Sequence, residues 1–192
     1  MDVKEETYRA FIAIELPHDV QEVIFNSVKP IMGRLKPFVK WVPPENIHLT
    51  LRFLGQISLS FSNDLQNNMK RLADTFSPLT FNLSEPGVFP SWREPRVLWV
   101  ALEIVQGELF PLQKEIETLV QRLGLSPEKQ RFHPHLTVGR AKSPTPVIST
   151  LWKNVKIPAM PDFCVDKVTL FKSTLAQTGA IYEVMDTFPL NH

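Results

Sequence analysis

The sequence predicts an α+β protein built from two similar halves related by a pseudo-twofold, and three observations carry that prediction. The tripeptide His48-Leu49-Thr50 returns as His135-Leu136-Thr137, 135 − 48 = 87 residues later. The segment Ile12-Ala13-Ile14-Glu15-Leu16 resembles Val100-Ala101-Leu102-Glu103-Ile104, at an offset of 100 − 12 = 88. Both halves then read strand, helix, histidine strand in the same order. With 5 His and 12 Thr among 192 residues, chance supplies about 0.3 His-x-Thr tripeptides, so two that agree at all three positions are informative.

Taken in order, Arg9 to Leu16 reads as a buried strand that Pro17 stops. Residues 18–35 place Val20, Val23, Ile24, Val28, Ile31 and Leu35 on one helical face. Lys40 to Val42 is a short strand, and Pro43-Pro44-Glu45-Asn46 turns into the first histidine strand, Ile47 to Gly55. A helix follows at 59–76 with apolar residues spaced by threes and fours. Strands are expected at Leu79–Leu83 and Arg96–Ile104, with Phe89 to Pro95 as a loop between them. Residues 108–124 form a third helix that Gly124 ends, and a loop through Lys129-Gln130-Arg131 leads to the second histidine strand, His135 to Arg140. A short helix at 145–154 precedes a closing hairpin, Val165–Ser173 and Ala180–Phe188, turned around Gln177-Thr178-Gly179.

The tripeptides carry the chemistry. In a strand, residues two apart share a face, so His48 projects with Thr50 and His135 with Thr137. Leu49 and Leu51, and Leu136 and Val138, turn to the core. Imidazole exchanges protons near neutral pH, and a threonine hydroxyl donates to an oxyanion. Two of each, brought together from two histidine strands that the pseudo-twofold sets face to face, suit a phosphodiester. One ring activates water, the other protonates the leaving oxygen, and no metal or other cofactor is required. By strict alternation Arg52 faces the cleft with His48, whereas Phe53 falls on the core face.

Composition narrows the partners. Net charge is +1 and no long basic run is present, which argues against capture of a long polyanion and for a single phosphate or a nucleic-acid end. One cysteine, Cys164, excludes an internal disulfide and suits a reducing compartment; it reads as a buried small hydrophobe. The charged start, Met1-Asp2-Val3-Lys4-Glu5-Glu6, carries no apolar signal region, and no apolar run reaches membrane-spanning length. The expectation is a soluble cytoplasmic monomer, with no membrane and no obligatory protein partner.

At these residues the chain resembles a known family. Two His-x-Thr motifs are the mark of the 2H phosphoesterases. Trp41 to Gly55, Arg96 to Val100, His133 to Thr137 and Val168 to Ser173 are similar to the RNA 2′,3′-cyclic phosphodiesterase branch, historically called 2′-5′ RNA ligase. The resemblance covers essentially the whole chain. It implies a single bilobed domain over residues 1–192, its two lobes intertwined, with antiparallel sheets lining a central cleft and helices outside. It implies hydrolysis of an RNA terminal 2′,3′-cyclic phosphate, or of a small cyclic nucleotide, to a 2′-phosphomonoester. It implies His48 as proton donor, His135 as proton acceptor, Thr50 and Thr137 as phosphate donors, and Arg140 as a phosphate clamp. Arg140 lies five residues after its histidine, so alternation turns it away unless Gly139 permits a bulge.

Two competing readings use the same residues. A 2′-5′ RNA ligase acting on tRNA-like halves runs the reverse reaction at the same site, and an RNA-end-binding module would use the site without turnover. His133 and His135 together with Cys164 or His48 suggest zinc, but no carboxylate or second cysteine stands near, so the metal expectation is none. His133 reads as structural, and His18 and His192 as surface residues. Trp92 and Arg93 either border the cleft or pack; Lys129 and Arg131 either meet RNA phosphates or sit in a solvated loop.

Overall fold

The computed structural model describes residues 6–176 and 179–191. Gln177 and Thr178 of the expected turn, His192, expected at the surface, and Met1 to Glu5 of the charged start lie outside the described residues.

The chain runs β1 (Thr7–Glu15), α1 (His18–Leu35), β2 (Val39–Trp41), a single 3₁₀ turn (Pro44–Asn46), β3 (His48–Ser58), α2 (Leu59–Ala73), β4 (Leu79–Ser91), β5 (Glu94–Gln106), α3 (Leu109–Arg122), β6 (His135–Ala141), α4 (Pro146–Trp152), β7 (Phe163–Val165), β8 (Lys167–Leu175) and β9 (Ala180–Pro189). The strands form one antiparallel sheet in the order β7-β4-β5-β6-β3-β1-β8-β9, with β2 added to the free edge of β6. The order is nearly palindromic about the β3–β6 seam. β4, the last strand of the first half, pairs with β5 of the second, and β8 of the second half pairs with β1 of the first. The lobes are therefore interleaved.

Most apolar side chains pack between one face of this sheet and the helices. Val20, Ile24, Val28 and Leu35 of α1, Leu65 and Met69 of α2, and Leu112, Ile116 and Val120 of α3 are buried at helical spacing against Ile12, Ile14, Leu49, Leu98, Val100 and Leu136. Ser58 caps α2 by accepting from the Phe61 N–H at 3.2 Å. A second, small cluster of Phe11, Ala13 and Phe171 with Tyr182 lies apart from this core, which is why β1 is buried at every position from Ala10 to Ile14.

Several expectations change. Phe89–Pro95 is no loop: β4 and β5 run through it as a hairpin, leaving Trp92 and Arg93 at its tip. Trp92 packs on the core, its carbonyl accepts from Ser149 Oγ at 2.6 Å and Lys153 lies 5.0 Å over its ring. Cys164 is exposed, because it sits on the short edge strand β7, where alternation buries Phe163 and Val165 instead. The 88-residue strand match is out by one step of alternation. Ladder register makes Leu98 the counterpart of Ile12, an offset of 98 − 12 = 86, since Ile12 faces Arg52 and Leu98 faces Gly139. A period of two lets a short apolar match slip without exposing a side chain.

Candidate active site

The two histidine strands meet side by side in the sheet, not across a gap. β3 and β6 share one ladder pair, Leu49 with Leu136, and both leucines are buried in the core. Their neighbours share the other face. Antiparallel register then sets His48 beside Thr137 and Thr50 beside His135, a two-by-two array about the pseudo-twofold. Beyond this pair the strands part, and β2 takes the edge of β6 from Gly139 to Ala141. A side chain at Gly139 would put its Cβ 2.9 Å from Val39 Cγ1 and 3.1 Å from Trp41 Cε3, so the glycine serves the approach of β2.

Each ring is fixed in the same way. His48 Nδ1 lies 2.8 Å from the Asn46 carbonyl, and His135 Nδ1 lies 2.7 Å from the His133 carbonyl. A carbonyl only accepts, so each Nδ1 carries hydrogen and each Nε2 is left for the open face. The backbone two residues before each motif thus sets tautomer and aim. Around His48 stand Phe11, stacked at 4.8 Å, Tyr182 edge-on at 5.4 Å and Phe171 at 6.3 Å. Around His135 stand Phe89 edge-on at 4.9 Å, Trp99 at 6.1 Å and His133 at 6.4 Å. His133 is therefore part of the aromatic surround as well as the source of the orienting carbonyl.

These surroundings depress both imidazolium ions. Burial draws the His48 pKa down to about 4, helped by the nearby positive charges of His135 and Arg140 and opposed by the Asn46 carbonyl and Glu15. His135 is also lowered, first by burial and then by His133 and Arg140. Burial raises the Tyr182 phenol, against the pull of Arg140 and Arg9.

Strict alternation puts Arg52 on the histidine face and turns Arg140 away; the structure reverses both, and matching bulges explain it. β1 and β3 slip register between Ile12/Ala13, leaving Leu51 as the extra residue; β5 and β6 slip between Leu98/Trp99, leaving Val138. The bulge lies at Val138, one place before Gly139. After each bulge, alternation is reversed. Arg140 comes out exposed on the histidine side of β6, near enough to influence both rings. Arg52 turns inward instead and is 8% exposed. Its guanidinium pairs with Glu117 at 2.5 Å and Glu128 at 3.3 Å and donates to the Ser126 carbonyl at 2.6 Å. The expectation that Arg52 faces the cleft is corrected on this ground: it is neutralised beneath the sheet and ties down the loop that leads to His133. Phe53, expected in the core, is 55% exposed and touches Phe11. Alternating polarity hides such a bulge, because Leu51-Arg52-Phe53 reads as a regular strand in either phase.

Among the described residues, no group of three or more His, Cys, Asp or Glu side chains is placed to hold a metal ion, and no helix is long and apolar enough to cross a membrane.

The family model for LigT like phosphoesterases matches residues 14–99 and 102–182. The chain belongs to the LigT-like phosphoesterase family. Two RNA 2′,3′-cyclic phosphodiesterases are similar to it: that of Aquifex aeolicus is 32% identical over 95% of this chain and 97% of its own length. That of Archaeoglobus fulgidus is 33% identical over 94% and 99%. The crystal structure of Escherichia coli LigT complexed with 3′-AMP superposes with a TM-score of 0.77 at 26% identity, covering 97% of this chain and 100% of that one. The present LigT-like phosphoesterase thus shares the two-lobed fold, and both of its His-x-Thr motifs fall inside the matched residues.

Proposed function

We propose that this chain hydrolyses the 2′,3′-cyclic phosphate at RNA ends, or in small cyclic nucleotides, to a 2′-phosphomonoester, without metal or other cofactor. The whole of residues 1–192 acts as one interleaved domain, a monomer in the cytoplasm. The observation that carries the reading is the pair of Nε2 atoms, each freed by an Nδ1–carbonyl bond and aimed onto one face beside two threonines and Arg140. The names of its relatives and the 3′-AMP bound by E. coli LigT support the same substrate class.

His135 Nε2 takes a proton from water as its oxygen attacks phosphorus. The P–O3′ bond breaks, and His48 Nε2–H delivers a proton to O3′, leaving a 2′-phosphate and a 3′-hydroxyl. Thr50 and Thr137 donate to the non-bridging oxygens, and Arg140 balances the charge that builds on them. Acid and base stand on adjacent strands, on the two sides of one phosphate.

The deciding experiment is to incubate the purified protein, with chelator present, with an oligonucleotide ending in a 2′,3′-cyclic phosphate. A 2′-phosphate is expected; a 3′-phosphate, or an untouched cyclic end, would refute the proposal.

A further inference from the structure

If His48 is the acid, the substrate lies on its flank. O2′ and O3′ belong to one ribose, and in-line attack puts water on the opposite side of phosphorus from O3′. The whole nucleoside therefore sits on the His48 side, and only water needs the His135 side.

Two grooves open on that side, and both touch Asn46 and Tyr182. The first, of about 600 Å³, carries the carboxylates of Glu15, Glu45 and Asp166 against Lys167, which already pairs with Glu15 at 3.1 Å. The second, of about 560 Å³, carries Lys40 and Arg140 against Glu45. Charge selects the second for an RNA chain. Lys40 stands directly opposite Arg140 in the β2–β6 ladder. Like charges so placed repel, and among the described residues neither has an acidic partner within ion-pair distance. An anion is what this pair lacks.

The walls of the same groove are apolar. Trp41 and Pro43 stand on one side, Leu175 and Ile181 on the other, and Leu175 is 68% and Ile181 57% exposed. The one side-chain amide there, on Asn46, is engaged with the Ala180 carbonyl at 3.1 Å. The volume lies in the range of small-molecule sites.

We infer that this groove, between β2 and the start of β9, seats the terminal nucleobase of the RNA by apolar contact, and that Lys40 holds the phosphate one step to its 5′ side. The inference rests on the phosphodiesterase reading with His48 as acid. Apolar contact reads no base edge, so the seat accepts all four bases.

The test compares three substrates: the four nucleoside 2′,3′-cyclic phosphates, a dinucleotide with a 2′,3′-cyclic end, and 1-O-methylribose 2′,3′-cyclic phosphate, which has no base. Ile181→Ala is expected to raise KM for every nucleoside substrate by roughly tenfold, with little change in kcat, and to leave the baseless substrate alone. Lys40→Gln is expected to raise KM for the dinucleotide only, and to flatten its dependence on log salt by roughly 0.7. Equal losses on the baseless substrate, or a silent Ile181→Ala beside a base-dependent Val184→Ala in the acidic groove, would overturn the seat while leaving the phosphodiesterase standing. A wild-type protein that opens none of the three substrates removes both.

Discussion

Phe53 and Arg140 occupy the same place in the two halves, each five residues after its histidine and each turned onto the histidine face by one extra residue in its strand. The pseudo-twofold repeats the backbone and the histidine pair, and breaks at this position. One flank of the site is aromatic and the other cationic. A phosphate on the axis therefore meets matched imidazoles and unmatched surroundings, which suits the distinct acid and base roles proposed above.

Arg140→Gln is expected to lower kcat/KM by roughly two to three orders of magnitude, the usual worth of a preorganised group facing transition-state charge. Because Arg140 holds both imidazolium ions down, the variant should also move the His48 and His135 titrations upward in NMR. Unchanged titrations would place Arg140 away from the rings.

His48→Ala and His135→Ala should each lower turnover by roughly two orders of magnitude or more while the fold persists. Near-normal rates from either folded variant would end its assignment as a proton carrier.

The rate depends on pH with a definite sign. The proposed mechanism needs one ring protonated and the other neutral. His48 titrates at about 4 in the free protein, and His135 below its ordinary 6.5. Under the lower value both rings are charged, and above the higher value both are neutral. A bell in kcat/KM with its optimum on the acid side of neutrality is expected. Bound phosphate adds negative charge beside both rings and raises both pKa values, so the kcat bell should lie at higher pH. A kcat/KM that climbs steadily past pH 8 would contradict the depressed rings.

Glu117→Gln leaves the buried Arg52 with Glu128 as its carboxylate partner, the more exposed of the two. A loss of roughly 3 kcal/mol in stability is expected, seen as a fall of roughly 10 °C in Tm. A Tm within a degree of wild type would show the pair to be dispensable.

The parts visible in the sequence were those written in periodicity and repetition. The α1 bounds, His18–Leu35, follow from helical spacing after Pro17, and the paired motifs mark the strands that meet at Leu49 and Leu136. The intertwining of the lobes comes only from the family resemblance, and the two bulges are hidden. A strand of period two reads the same on either side of a one-residue insertion, so alternation puts Arg52 and Phe53 each on the wrong face. Phe11, Tyr182 and Asn46 had no local signal at all. Their roles come from strands brought beside β3 from far along the chain, or from a backbone carbonyl that every residue possesses.

The exchange of β4 and β8 has a consequence for the integrity of the chain. A backbone nick between Trp92 and Arg93, at the hairpin tip, would yield two fragments. The first would lack the neighbour that β1 finds in β8, and the second the neighbour that β5 finds in β4. Neither fragment is self-sufficient, and each carries the complement the other needs, so activity should return only on mixing.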